Sequence, residues 1–148
     1  MAIAVGTTAP LIADATQEGP HAIVFYKVTC PTCQMAAPAL DDLERAYPGR
    51  VRGVGQDPAA KLASFSQEFG LALPSVPDTA PYGGSNAYEI EHVPTLVVVD
   101  AEGLVADVVE SWDREGYNRA SSTLATLLGV DPATISVEGD GLPAFRPG

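Results

Sequence analysis

Two cysteines stand close together in Cys30-Pro31-Thr32-Cys33, and the chain holds no others. Sulfurs at that spacing can close a disulfide, and one can attack a partner's sulfur while the other releases the mixed disulfide. The pair lies where a run of β-branched and aromatic residues, Ala22 to Val28, gives way to helical periodicity. Cys30 is therefore placed near a helix N-terminus, where unpaired N–H groups and the helix dipole favour a thiolate over a thiol. The same spacing supplies half of a zinc site. The other half is missing, because only His21 and His92 remain as nitrogen ligands, so no metal is expected.

The elements that must hold this pair follow from pattern. Ala22 to Val28 is nearly continuous in apolar character, as in a strand buried on both faces. Ala36, Leu40, Leu43 and Tyr47 then fall on one helical stripe, which Pro48-Gly49 ends. Arg50 to Gly55 reads as a second strand, and Asp57-Pro58 as the start of a helix in which Asp57 caps and Pro58 takes the first helical position. Leu62, Phe65 and Phe69 mark the buried face of that helix and Gly70 its left-handed stop. Leu73 to Ser85 reads as loop around a short strand near Val76. Thr95 to Asp100 and Leu104 to Glu110 form a hairpin across Ala101-Glu102-Gly103. A last helix buries Tyr117, Ala120, Leu124 and Leu127 or Leu128, and Gly129 closes it. The Pro- and Gly-rich stretch from Val130 to Gly148 is expected to be mobile rather than packed. Strands alternating with helices before a closing hairpin and helix predict an α/β layered domain with a mixed sheet.

Composition narrows the partners. The 148 residues are 46% hydrophobic and 18% charged, enough for one globular domain that needs no disulfide staples. Net charge is −11 with the positive residues scattered, which argues against nucleic acid and anionic membranes. The longest apolar stretch, Val93 to Val99, is too short to span a bilayer. Met1 to Pro10 carries no Lys or Arg and no sustained apolar run, so it does not read as a secretory signal and a cytoplasmic protein is expected. Asp41-Asp42 and the Glu89/Glu91 pair read as solvated faces, and Tyr82-Gly-Gly-Ser-Asn86 lacks the rest of a phosphate-binding fingerprint. Trp112 with Tyr117, and Phe25 with Tyr26, read as core packing.

Residues 30 to 43, Cys-Pro-Thr-Cys-Gln-Met-Ala-Ala-Pro-Ala-Leu-Asp-Asp-Leu, resemble the active-site helix of thioredoxins, including Pro38, which would kink it. His92-Val93-Pro94-Thr95-Leu96 resembles that fold's cis-proline loop. The opening Gly6-Thr-Thr-Ala-Pro10, the long interval between Cys33 and Pro94, and Val99-Asp-Ala-Glu-Gly103 look like the redoxin branch. That branch contains TlpA/ResA-type thiol–disulfide oxidoreductases and the AhpC/TSA-related peroxiredoxins. The likeness covers residues 6 to 128 and implies a thioredoxin-like three-layer fold, a central mixed β-sheet flanked by helices, in a domain spanning residues 1–129 with a tail at 130–148. By resemblance, Cys30 attacks and Cys33 resolves, while Val93, Pro94 and Thr95 with Pro31 and Thr32 shape the substrate groove.

The sequence also departs from the resembled pattern. The tryptophan expected before the first cysteine is Thr29, the buried strand carboxylate falls on Val24, and the glutamate of some TlpA-type proteins falls on Ala36. Cys33 is left without an evident proton acceptor, with Glu91, His92, Lys27 or water as the remaining choices. His92 and Lys27 are candidates for tuning Cys30 by charge. A peroxiredoxin would place Thr three residues before its reactive cysteine, where this chain has Lys27 before Cys30. The residues thus point to a thiol–disulfide oxidoreductase that needs no cofactor beyond its own Cys30–Cys33 disulfide. Its partners would be protein disulfides or dithiols, with a thioredoxin-reductase-type enzyme or another thiol as electron donor. A thiol peroxidase using Cys30 and a non-catalytic binding module stay open as alternatives.

Overall fold

The computed structural model describes residues 1–148. The apolar run after Pro20 forms β1 (His21–Tyr26), buried at every position because both of its faces are covered. Ala22, Val24 and Tyr26 point into one hydrophobic cluster, and Ile23 and Phe25 into the other. β1 pairs in parallel with β2 (Val51–Gly55) and antiparallel with β4 (Thr95–Val99), which makes it the central strand. The short β3 (Ser75–Pro77) and the hairpin partner β5 (Val105–Glu110) complete a mixed sheet of order β3-β2-β1-β4-β5.

The larger cluster joins this sheet to α1 (Pro31–Ala46), α2 (Ala59–Phe69) and α4 (Arg114–Leu128). The second face is covered mainly by coil. Ile3, Ala9 and Ala15 of the N-terminal segment pack there with Tyr88, which caps the one-turn α3 (Gly83–Ala87). Close approach of backbone to side chains is built in at β2, where a Cβ on Gly55 would overlap Leu62 of α2. No helix is long and apolar enough to cross a membrane.

Several expectations need correcting. The Asp57 carboxylate does not cap α2: Pro58 is the N-cap, and Asp57 Oδ2 accepts instead from Val28 N–H at 2.9 Å, fixing the turn that leads to Cys30. Asp41 is not a solvated charge but is 4% exposed, accepting from Ala72 N–H at 2.8 Å and pairing with Arg45. Phe69 and Leu128 are only partly buried, and Leu127 is exposed.

The largest departure is the stretch after Gly129, which is packed rather than mobile. Ile135 joins the core and Ser136 is buried, with the Asn118 side chain accepting from both backbone N–H groups and donating to the Ser136 carbonyl. Arg114 donates to the Leu142 carbonyl at 2.6 Å and pairs with Asp140. Trp112 Nε1 donates to the Pro143 carbonyl at 2.7 Å, and β7 (Phe145–Arg146) pairs antiparallel with β6 (Trp112–Asp113). Polar anchors on α4 and β6 do here what scattered apolar residues could not do alone.

Candidate functional site

Pro31 occupies the first turn of α1, where a missing N–H costs nothing, and Cys30 is the N-cap with extended backbone. Its sulfur therefore sits where a capping oxygen usually does, and it accepts from Cys33 N–H at 3.2 Å. The Cys30 N–H is tied to the Lys27 carbonyl at 3.1 Å, and Gln34 Nε2 donates to the Val28 carbonyl, so the turn entering the helix is held from both sides. Both cysteines are free thiols; Cys30 is 9% exposed and Cys33 fully buried.

The two sulfurs are driven in opposite directions. Hydrogen bonding from the Cys33 thiol holds the Cys30 thiol down to about 6, against burial, and the backbone N–H groups of Cys33 and Thr32 and the Arg146 guanidinium act the same way. That hydrogen bond and then burial push the Cys33 thiol far above its ordinary value, opposed by the Lys27 backbone. One sulfur, nearly buried at the helix start, thus favours the thiolate at neutral pH, while the other, fully buried, is a protonated thiol.

The loop before β4 lies against this pair. The Val93–Pro94 peptide is cis, and the Cys30 thiol donates to the Val93 carbonyl at 3.3 Å. Thr95 is fully buried, and its hydroxyl donates back to the His92 carbonyl at 2.7 Å, closing the loop rather than facing the groove. Pro31 is exposed at the helix start and Thr32 is 3% exposed, its hydroxyl bonded to the Pro147 carbonyl. Val93, Pro94 and Thr32 are brought to Cys30. His92 is exposed and Lys27 reaches the pair through its backbone; neither side chain is among the groups that shift the Cys30 thiol.

The charge that does act on Cys30 comes from Arg146, which sequence reading missed along with Ser111, Pro147 and Gly148. Only one weak signal pointed there: Arg146 is one of 8 basic residues in an acidic chain. The rejected anion turn at Tyr82 to Asn86 is filled from within, since the Asp78 carboxylate accepts from Gly84 N–H, Ser85 N–H and Ser85 Oγ. No three His, Cys, Asp or Glu side chains are grouped so as to hold a metal ion. Trp112 and Tyr117 pack ring against ring at 4.8 Å in the core behind the pair.

No protein-family profile and no curated protein sequence matches this chain. Solved structures do. A Chlorobium tepidum protein assigned as the thiol:disulfide interchange protein DsbE is similar with a TM-score of 0.72 at 15% identity, over 86% of this chain and 99% of that one. A secreted Mycobacterium tuberculosis disulfide oxidoreductase homologous to Escherichia coli DsbE superposes with a TM-score of 0.61 at 22% identity, over 83% of this chain and 95% of that one. The thioredoxin domain of a thiol-disulfide oxidoreductase from Bacteroides vulgatus gives 0.67 at 18%, over 82% and 99%. The chain has the thioredoxin fold, as its motifs implied.

Proposed function

We propose that this thioredoxin-fold protein is a thiol–disulfide oxidoreductase in which Cys30 attacks and Cys33 resolves. The observation that carries the reading is the contrast between the two sulfurs: the Cys30 thiolate, 9% exposed, caps α1 and accepts from the Cys33 backbone N–H at 3.2 Å, while the Cys33 thiol is fully buried. In the reducing direction, Cys30 thiolate attacks one sulfur of a partner disulfide and expels the other as a thiolate. Cys33 then loses its proton and attacks Cys30 Sγ, releasing the second partner thiolate and leaving the Cys30–Cys33 disulfide. Two electrons pass to the partner, and the reverse sequence oxidises a partner dithiol.

The coupling between the sulfurs times these steps. The strongest influence keeping Cys33 protonated is its hydrogen bond to Cys30, and the Cys30 charge adds to it. Both disappear once Cys30 is tied up in a neutral mixed disulfide. Burial then remains as the main restraint, and the resolving thiol becomes easier to ionise only after the attack has happened.

Support for protein substrates comes from the groove of main-chain groups at Val93 beside Cys30 and from the names of the similar structures. The peroxidase alternative keeps only the shared fold, since the contact of Lys27 with Cys30 is a backbone hydrogen bond. A cytoplasmic, reducing setting with a thiol electron donor belongs to this proposal, and cell fractionation tests the setting. The central test is turnover of a model protein disulfide with a dithiol as electron source. Cys30→Ser abolishes it, and Cys33→Ser accumulates a mixed disulfide between Cys30 and the substrate; undiminished turnover in Cys30→Ser overturns the reading.

A further inference from the structure

The last four residues of the chain as described, Phe145 to Gly148, lie across the site. β7 holds their start against β6, and the Arg146 guanidinium lies 3.7 Å from the Met35 sulfur on α1. The Pro147 carbonyl then accepts from Thr32 Oγ1 at 2.7 Å, and Gly148 N–H donates to Ser111 Oγ at 3.0 Å. Gly148 sits so close to Val93 that an added Cβ would overlap the Val93 carbonyl oxygen and press on the Val93 carbonyl carbon. That carbonyl is the one to which Cys30 donates. One short segment therefore touches the dipeptide between the cysteines and the loop against which the attacking sulfur rests.

Its manner of attachment is informative. The groove is contacted by main-chain groups, the Pro147 carbonyl and the Gly148 N–H, while residues 143 to 148 are all exposed and Phe145 is 58% exposed. Nothing in residues 145–148 is anchored by a buried apolar side chain. The firm anchors lie upstream, at Ile135, Ser136 and the Arg114–Asp140 pair, and are joined to the segment through Gly139 and Gly141 at positive φ. A strip held by a few half-buried hydrogen bonds, with no buried apolar side chain of its own, can lift without disturbing the core.

We propose that Phe145–Gly148 is a built-in occupant of the docking groove beside Cys30, which an extended polypeptide segment carrying the partner disulfide must displace. The inference rests on the exchange reading above for the identity of the partner. What it adds is that the resting protein is self-covered, with a glycine-sized residue of its own over Val93. Substrates are then unfolded or extended segments, whose backbone can replace the Pro147 and Gly148 contacts at Thr32 and Ser111.

The test uses the reduced protein, a variant ending at Ala144, and Gly148→Leu, whose side chain has no room over Val93 and pushes the strip off while Arg146 is kept in the chain and the core is left intact. Alkylation of Cys30 by a haloacetamide bearing a bulky label is followed at about pH 9, where the thiol is ionised with or without Arg146. If the strip is down nine-tenths of the time, both variants label about tenfold faster than wild type, in proportion to the freed fraction. Equal rates in all three proteins, with circular dichroism showing each folded, overturn the proposal. Exchange with a model protein disulfide, run on the same samples, separates the two readings. Faster labelling with no exchange in any protein leaves the cover standing and removes the exchange function. Exchange that proceeds equally in all three, with unchanged labelling, removes the cover and keeps the function.

Discussion

The Cys30 thiol donates to the Val93 carbonyl at 3.3 Å, joining residues 63 positions apart in the chain. Nucleophile and groove are thereby parts of one contact. A protonated Cys30 is anchored to the loop, whereas an ionised one gives up that donor and keeps the N–H groups of α1. Ionisation both activates the sulfur and frees it from the loop.

The pH dependence of Cys30 reactivity follows. Alkylation of the reduced protein by a small haloacetamide rises with pH along a single titration with its midpoint at about 6. Arg146→Met moves the midpoint upward, because it removes the positive charge that favours the thiolate, while His92→Ala leaves it in place. A midpoint at the ordinary thiol value in wild type sinks the assignment of Cys30 as the activated sulfur.

The same ionisation sets the redox poise. Stabilising the thiolate stabilises the dithiol state relative to the disulfide, so a lower thiol pKa makes a more oxidising pair. Thioredoxin, with a pKa of about 7, lies at about −270 mV, and a strongly oxidising relative with a pKa of about 3.5 lies at about −120 mV. A Cys30 thiol at about 6 interpolates to a potential of about −230 mV. Equilibration in graded glutathione buffers with thiol counting measures it; a value below that of thioredoxin contradicts the role given to the thiolate.

Stability of the reduced protein carries the matching signature. The Cys30 pKa is depressed from 9.0 to about 6 in the folded state, so between those values the unfolded chain binds the extra proton. Stability therefore rises with pH through that window and the contribution is lost as pH falls through about 6. Urea denaturation of the reduced protein at a series of pH values shows the slope, and Cys30→Ser removes it. A slope that survives the substitution belongs to other groups.

How far the sequence disclosed this arrangement depends on the range of the forces involved. β1, α1, β2, the β4–β5 hairpin and α4 were legible because periodicity and Gly70 and Gly129 are local signals. Cys30, Cys33, Val93 and Pro94 were legible as two motifs, and the fold brings those motifs together. Arg146 and Ser111 were not, since their roles come from contacts of the segment 145–148 with α1 and with the turn after β5, which no local pattern encodes. The stretch after Gly129 was misread for the same reason: it is held by Asn118, Arg114 and Trp112, polar side chains that look like surface until the segment they bind is in place.

Asp41 makes the cost of such a misreading measurable. Its carboxylate, 4% exposed, accepts from Ala72 N–H at 2.8 Å and so fastens α1 to the turn carrying the buried Leu71 and Leu73. The pair with Arg45 adds little, because that side chain is 73% exposed. Asp41→Ala removes a charged hydrogen bond worth about 1.5–3 kcal/mol. It regains about 0.5 kcal/mol from the better helix propensity of alanine. The expected net loss is about 1–2.5 kcal/mol of folding stability. Asp41→Asn, which keeps an acceptor oxygen for Ala72, loses less. Urea denaturation of the two variants decides the matter: equal, negligible losses would mean that the Ala72 bond contributes nothing and that Asp41 is, after all, an ordinary surface charge.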